Sequence, residues 1–235
     1  GPNEYENNVN NNWYTNTLAV WTLSYTLSSL GQLRKGNRTK YDSLIRKTAF
    51  DFEGETTAWK KIIRGMYFPH DSKRNVFLQQ DGFLDKVLIP AEEIPASERP
   101  INQHWSWDRI LRSCFIKQAD VLQGLYVFED KYDTDTIRRN FDFYEPMTVH
   151  ESSLSACIHS ILASRTGNIR KAYQLYLRTA RLDLDDYIKE VADGLHITSM
   201  AGTWLAIVEG FAGMRILDGL HITSMAGTWL AIVEG

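Results

Sequence analysis

Apolar residues return at three- and four-residue spacing along most of this chain, and strict two-residue alternation is rare. That period is helical, because 3.6 residues close a turn and bring every third or fourth side chain onto one face. It disfavours sandwiches and β-barrels and predicts an all-α fold. The longest run, residues 13–30, carries Tyr14, Leu18, Trp21 and Tyr25 on one stripe and Val20, Leu23, Leu27 and Leu30 on another. Such a helix is expected to be buried on two sides. Asn12 stands where an N-cap belongs and Gly31 where a C′ glycine belongs. Further helices are expected over residues 41–50, 56–66, 116–128, 135–144, 153–163, 169–182 and 202–214. Helix after helix with short loops admits a bundle, a solenoid or an α/α barrel. Residues 68–100 interrupt the pattern with Pro69, Pro90, Pro95 and Pro100, which predicts a long excursion of loops and short extended pieces. An excursion of that length suggests a working loop.

The chain has 235 residues, room for one large domain or two small ones, and its 43% hydrophobic residues suffice for a core. A net charge of −3 lacks the basic face that a phosphate-backbone tracker needs, so no nucleic-acid partner is expected. Two cysteines, Cys114 and Cys157, are too few for a disulfide scaffold or a Cys-rich zinc site and suit a reducing compartment. Neither a membrane-length apolar run nor a signal peptide stands out, so a soluble, cytoplasmic protein with no membrane partner is expected. The 7 Trp, 11 Tyr and 10 Phe suit stacking on sugars as well as a large core.

Both ends are unusual. The chain opens Gly1-Pro2-Asn3-Glu4-Tyr5 without an initiator Met, which reads as a protease scar or a truncation. Residues 193–210 recur without a single change as residues 218–235. A solenoid would show three or more diverged units with atypical caps. One perfect copy reads instead as a recent duplication, an assembly error or a cloning artefact, and function is expected to reside in the first copy. The expected division is therefore residues 1–217 and the duplicate, 218–235.

Four places suggest chemistry. Glu4 lies in a turn beside Tyr5, where partial desolvation would raise its pKa and suit a general acid; the alternative is a solvated turn glutamate. Lys117 and Gln118 fall in the first turn of the helix expected from residue 116, where a cation opposes the helix dipole and therefore suggests an anion site; the alternative is an exposed lysine. His150-Glu151-Ser152-Ser153 and His196-Ile197-Thr198-Ser199 each precede an apolar run. Hydroxyls there can cap the helix or hold phosphate. Asp183, Asp185 and Asp186 lack the Gly and Glu of a calcium loop and read as a solvated acidic segment neutralised by Arg178 and Arg181. No Walker loop, GxSxG elbow, HExxH or paired-Cys motif occurs, so no metal or organic cofactor is expected.

Taken jointly, several motifs are similar to those of glycoside hydrolase family 65. They are Gly1-Pro2-Asn3-Glu4-Tyr5, Asn11-Asn12-Trp13-Tyr14-Thr15-Asn16, Lys117-Gln118-Ala119-Asp120-Val121, Tyr144-Glu145-Pro146 and Thr148-Val149-His150-Glu151-Ser152-Ser153-Leu154-Ser155. Arg178-Thr179-Ala180-Arg181-Leu182-Asp183-Leu184-Asp185-Asp186-Tyr187 and Asp193-Gly194-Leu195-His196-Ile197-Thr198-Ser199-Met200-Ala201-Gly202 complete the set. The resemblance implies a partial (α/α)6 barrel, about its second half, and inverting phosphorolysis of a maltose-like disaccharide to β-glucose 1-phosphate and glucose. It implies that Glu4 is the proton donor and that Lys117 and Gln118 contact substrate. It also implies that Ser152, Ser153 and His196 lie around phosphate, the co-substrate. An inverting hydrolase would need a second carboxylate to activate water, whereas phosphate is already an anionic nucleophile. The resemblance further implies that whole members carry a β-sandwich and half a barrel ahead of this region and are commonly homodimers. The chain alone is therefore expected to be inactive. A trehalase- or kojibiose-type hydrolase and a non-catalytic helical interaction module are the alternatives.

Overall fold

The computed structural model describes residues 1–214, and among them the only sheet is a hairpin of two two-residue strands. Three helices lead the chain: α1 (Trp13–Gly36), α2 (Arg38–Thr48) and α3 (Phe52–Gly65). The hairpin follows as β1 (His70–Asp71) and β2 (Val76–Phe77). Short α4 (Ile101–His104) and α5 (Trp107–Arg112) lead into α6 (Val121–Val127), α7 (Thr134–Tyr144), α8 (Ala156–Arg165) and α9 (Ile169–Ala180). Helix α10 (Ile197–Leu205) runs on as a π-helical turn, Ala206–Phe211. The expected all-α class holds. The duplicate at 218–235 lies outside the described residues.

Helix α8 is the centre of the packing. Every residue from Ala156 to Ala163 is buried, so this helix has no polar face to give to water and must be surrounded. Helices α6, α7, α9 and α10 and the π-helical turn pack around it. Two glycines allow close approach. A Cβ on Gly124 of α6 would stand 2.5 Å from Cζ3 of the buried Trp13, and one on Gly202 of α10 would stand 2.7 Å from Cβ of Cys157. Trp13 stacks on Phe77, with centroids 4.7 Å apart, tying α1 to the hairpin.

Asn12 caps α1 as expected, its Oδ1 accepting from Thr15 N at 2.8 Å. The other boundaries need correction. Helix α1 passes through Gly31 and ends at Gly36, where Asn37 caps the next helix. The helix expected from residue 116 starts only at Val121, because Ile116 is extended and bridges Thr148 in parallel. Ile116 N donates to Met147 O at 3.1 Å and Val149 N to Ile116 O at 2.9 Å. Likewise α8 begins at Ala156 rather than Ser153. The 68–100 excursion is irregular as expected, and its middle is packed against the start of α1 while Val87 and Ile89 stay exposed. Gln79, Gln80 and Phe83 are buried, and Gln79 O accepts from Trp13 N at 2.9 Å and Asn12 Nδ2 at 3.0 Å.

Candidate active site

The turn carrying Glu4 is fastened from several sides. Asn3 N donates to Asp120 Oδ2 at 3.2 Å, and Asn3 Oδ1 accepts from Tyr5 N at 3.1 Å and Lys117 N at 3.0 Å. One buried asparagine thus sets the spacing between the Glu4 turn and the Lys117 segment. Asp120 is wholly enclosed; burial pushes its carboxyl up, while bonds from Asn12 and Asn3 oppose that shift. Glu6, the residue after Tyr5, pairs with Lys86, whose ammonium also donates to Leu111 O at 3.0 Å. Burial lowers Lys86 to about 8. Tyr5 itself is fully buried, and its hydroxyl donates to Glu151 Oε2 at 2.8 Å.

The Glu4 side chain points to the surface, 55% exposed, and meets Lys117 and Gln118 directly. Its Oε2 accepts from Lys117 Nζ, and its Oε1 accepts from Gln118 Nε2 at 3.0 Å. Gln118 Nε2 also donates to Pro2 O at 2.7 Å. The three residues singled out in the sequence therefore share one cluster. Two expectations change. Partial burial does push the Glu4 carboxyl up, but the bond and charge of Lys117 and the bond from Gln118 outweigh it, so its pKa is lowered rather than raised. Lys117 and Gln118 also lie in a bend ahead of α6, not in its first turn, so the anion site expected from the helix start is not built there.

Of Ser152, Ser153 and His196, the structure links Ser153 to the His196 segment through Thr198, whereas Ser152 bonds only within its own turn. The 150–155 segment is a turn ahead of α8, with His150 at positive φ and its Nδ1 2.8 Å from Ser155 Oγ. Ser152 Oγ accepts from Leu154 N at 3.2 Å, and Ser153 Oγ accepts from Thr198 Oγ1. Thr198 follows His196, the N-cap residue of α10, so this bond brings the two hydroxyl-bearing segments together. His196 is held by Asp183: backbone N to Oδ2 at 2.8 Å and Nδ1 to Oδ1 at 2.7 Å, with Glu190 3.6 Å from Nε2. Asp183 is thus a structural partner of His196, not a solvated acid. Arg181 pairs with Asp185 at 2.6 Å as expected, but Arg178 turns away and donates to Val149 O and His150 O. Two further contacts, Asp183 with the His196 imidazole and Glu151 with the Tyr5 hydroxyl, carried no periodicity or spacing signal.

Glu145, His150 and His159 form a buried group with donor atoms within 4.8 Å of one another. Lys171 Nζ stands 2.7 Å from Glu145 Oε1. Burial opposes ionisation of Glu145, yet neighbouring His150 and the bond from Lys171 hold its carboxyl at about 2. Burial lowers both imidazoles, His159 most. Glu145 and Lys171 thus form an ion pair beside the two buried imidazoles.

Residues 1–205 match the glycosyl hydrolase family 65 central catalytic domain. A maltose phosphorylase of Bacillus subtilis (strain 168) is 57% identical over 92% of this chain and 27% of its own length. An alpha,alpha-trehalose phosphorylase of Thermoanaerobacter brockii is 43% identical over 92% of this chain and 28% of its own. A solved structure provisionally named as a kojibiose phosphorylase from the human microbiome superposes with a TM-score of 0.83 at 37% identity, covering 93% of this chain and 30% of that one. The chain thus spans little more than a quarter of the length of these relatives, and its helices form part of an (α/α)6 barrel. With the Glu4, Lys117 and Gln118 cluster in place and the match running through α10, the chain belongs to glycosyl hydrolase family 65.

Proposed function

We propose that this chain supplies the acid-bearing part of an inverting disaccharide phosphorylase. Maltose plus phosphate gives β-glucose 1-phosphate plus glucose. Glu4 protonates the glycosidic oxygen as that bond to the anomeric carbon breaks. A phosphate oxygen bonds to the same carbon from the opposite face, and Glu4 regains its proton from solvent. Lys117 and Gln118 hold sugar hydroxyls beside the acid, while Ser152, Ser153 and His196 hold phosphate. The observation that carries this reading is the half-exposed Glu4 carboxylate clasped by one ammonium and one amide. When sugar hydroxyls take over those two donors, the carboxyl loses what lowers it and keeps the burial that raises it, so it can bind the proton it must give. Maltose is favoured over trehalose and kojibiose by the 57% identity to a maltose phosphorylase.

The test uses the full-length protein containing this sequence, given maltose, trehalose or kojibiose with and without phosphate. Glucose and glucose 1-phosphate from maltose, stalling without phosphate, are expected. Glucose release that ignores phosphate would make it a hydrolase, and preference for another sugar would correct the substrate. Glu4→Gln is expected to lose ~10²–10⁴-fold in rate, the usual worth of general acid catalysis; full activity would show that Glu4 is not the acid, and a wild type that turns over none of these sugars would leave a helical binding module as the reading.

A further inference from the structure

Glu151 does something that neither cluster explains. Its side chain is 2% exposed, yet its carboxylate takes three donors from two segments far apart in the chain. Tyr5 OH donates at 2.8 Å, Ile101 N at 2.9 Å and Arg99 Nε at 3.4 Å. Arg99 also donates to Val149 O at 2.6 Å, so the same guanidinium braces the backbone on which Glu151 sits. Tyr5 is the immediate neighbour of Glu4, and its ring meets Trp107 edge-on with centroids 6.3 Å apart. Glu151 is likewise the neighbour of Ser152. Burying a carboxylate is costly unless every lone pair is used, and the position of a buried phenol bonded to it is narrowly determined. The backbone of the acid turn is thereby indexed to the loop bearing the serines.

We propose that Glu151 is a positioning residue for the proton donor: through the Tyr5 hydroxyl it holds the Glu4 turn at the distance from the Ser152–Ser153 loop that protonation of the leaving sugar requires. The proposal rests on the phosphorylase reading above. Displacing a catalytic group by about 1 Å costs on the order of 10²-fold in rate. A merely structural bond would cost stability and spare the chemistry.

The test compares two leaving groups in the full-length protein. Maltose needs its departing oxygen protonated; α-glucosyl fluoride does not, because fluoride leaves as an anion. Tyr5→Phe, which keeps the ring, is expected to lower kcat on maltose by ~10²-fold with KM for maltose and phosphate within about threefold. Its rate on α-glucosyl fluoride with phosphate should stay within about threefold of wild type. Glu151→Gln keeps the shape and an acceptor oxygen and should fall between wild type and Tyr5→Phe, which supplies a second variant if Tyr5→Phe does not fold. In a Glu4→Gln background, Tyr5→Phe should add almost nothing on maltose. Equal losses on both substrates, unchanged kcat on maltose, or losses that multiply in the Glu4→Gln background would overturn the proposal. Wild type that never consumes maltose with phosphate would instead sink the phosphorylase reading, which is a separate outcome.

Discussion

At Glu4 two forces compete, and their balance decides its protonation. Partial burial favours the neutral acid, and Lys117 and Gln118 favour the anion and prevail. Replacing Lys117 by Met removes both a bond to the carboxylate and a positive charge, leaving desolvation with less opposition. The pKa of Glu4 should then rise. Because a proton donor fails once it loses its proton, the alkaline limb of kcat/KM for maltose should move to higher pH in Lys117→Met, even as the rate falls through lost sugar contacts. A pH profile of the full-length variant at saturating phosphate checks this, and a limb that stays put or moves to lower pH would show that Lys117 does not set the acid. Glu4, Lys117 and Gln118 were each singled out in the sequence, but a solvated glutamate and an exposed lysine were equally open on local grounds, and only the family resemblance joined them. The direction of the shift was not legible there. It depends on a contact across more than a hundred residues, set by Asn3 bonding to Lys117 N, which no local pattern records.

Within the helices, the same substitution should have opposite signs at two glycines. Gly31 lies inside α1 with nothing within 4 Å of an added Cβ, so Gly31→Ala should stabilise by the difference in helix propensity, ~1 kcal/mol. Gly124 lies inside α6, where a Cβ would stand 2.5 Å from the Trp13 ring. Trp13 is 2% exposed and stacked on Phe77, so it cannot yield, and overpacking of about 1–3 kcal/mol should exceed the propensity gain. Thermal unfolding should therefore move up for Gly31→Ala and down for Gly124→Ala; movement in one direction at both would mean propensity alone decides. This contrast also explains what the sequence withheld about elements. The 3.6-residue period found nearly every long helix, because it reflects which side chains face the core. It misplaced ends wherever tertiary bonds compete with the helix. Ile116 pairs with Thr148, and the turn at His150 to Ser155 delays α8, although both segments look like helix starts. Two-residue pairings are too short for alternation to be visible.

For the whole molecule, the arrangement leaves two apolar faces uncovered among the described residues. Along α9 and α10 these include Ile169, Tyr173, Met200 and Trp204, the last 60% exposed. Along α1 and α3 lie the exposed Ile62 and a groove of about 600 Å³ bordered by Trp21, Tyr25, Phe68 and Tyr132. The faces belong to opposite ends of the chain order, as the two sides of an interrupted ring of helices must. Apolar patches of this kind are rare on stable monomers and mark surfaces made to be covered. The candidate cluster has the opposite character: Glu4, Lys117 and Gln118 are bonded to one another within these residues and need no further element to meet. Cluster geometry and surface burial should therefore come apart when the 235-residue chain is prepared by itself. Helical circular dichroism should persist, while sedimentation velocity should show self-association and an apolar dye should fluoresce on binding. Phosphate-dependent glucose release from maltose should be lost, because half a ring cannot exclude water from the bond being cleaved. The full-length protein should show neither dye binding nor self-association beyond a defined oligomer, and should retain activity. A monodisperse chain that ignores the dye would mean the two faces close on themselves in solution, and glucose release by that chain would mean that these residues suffice for the reaction.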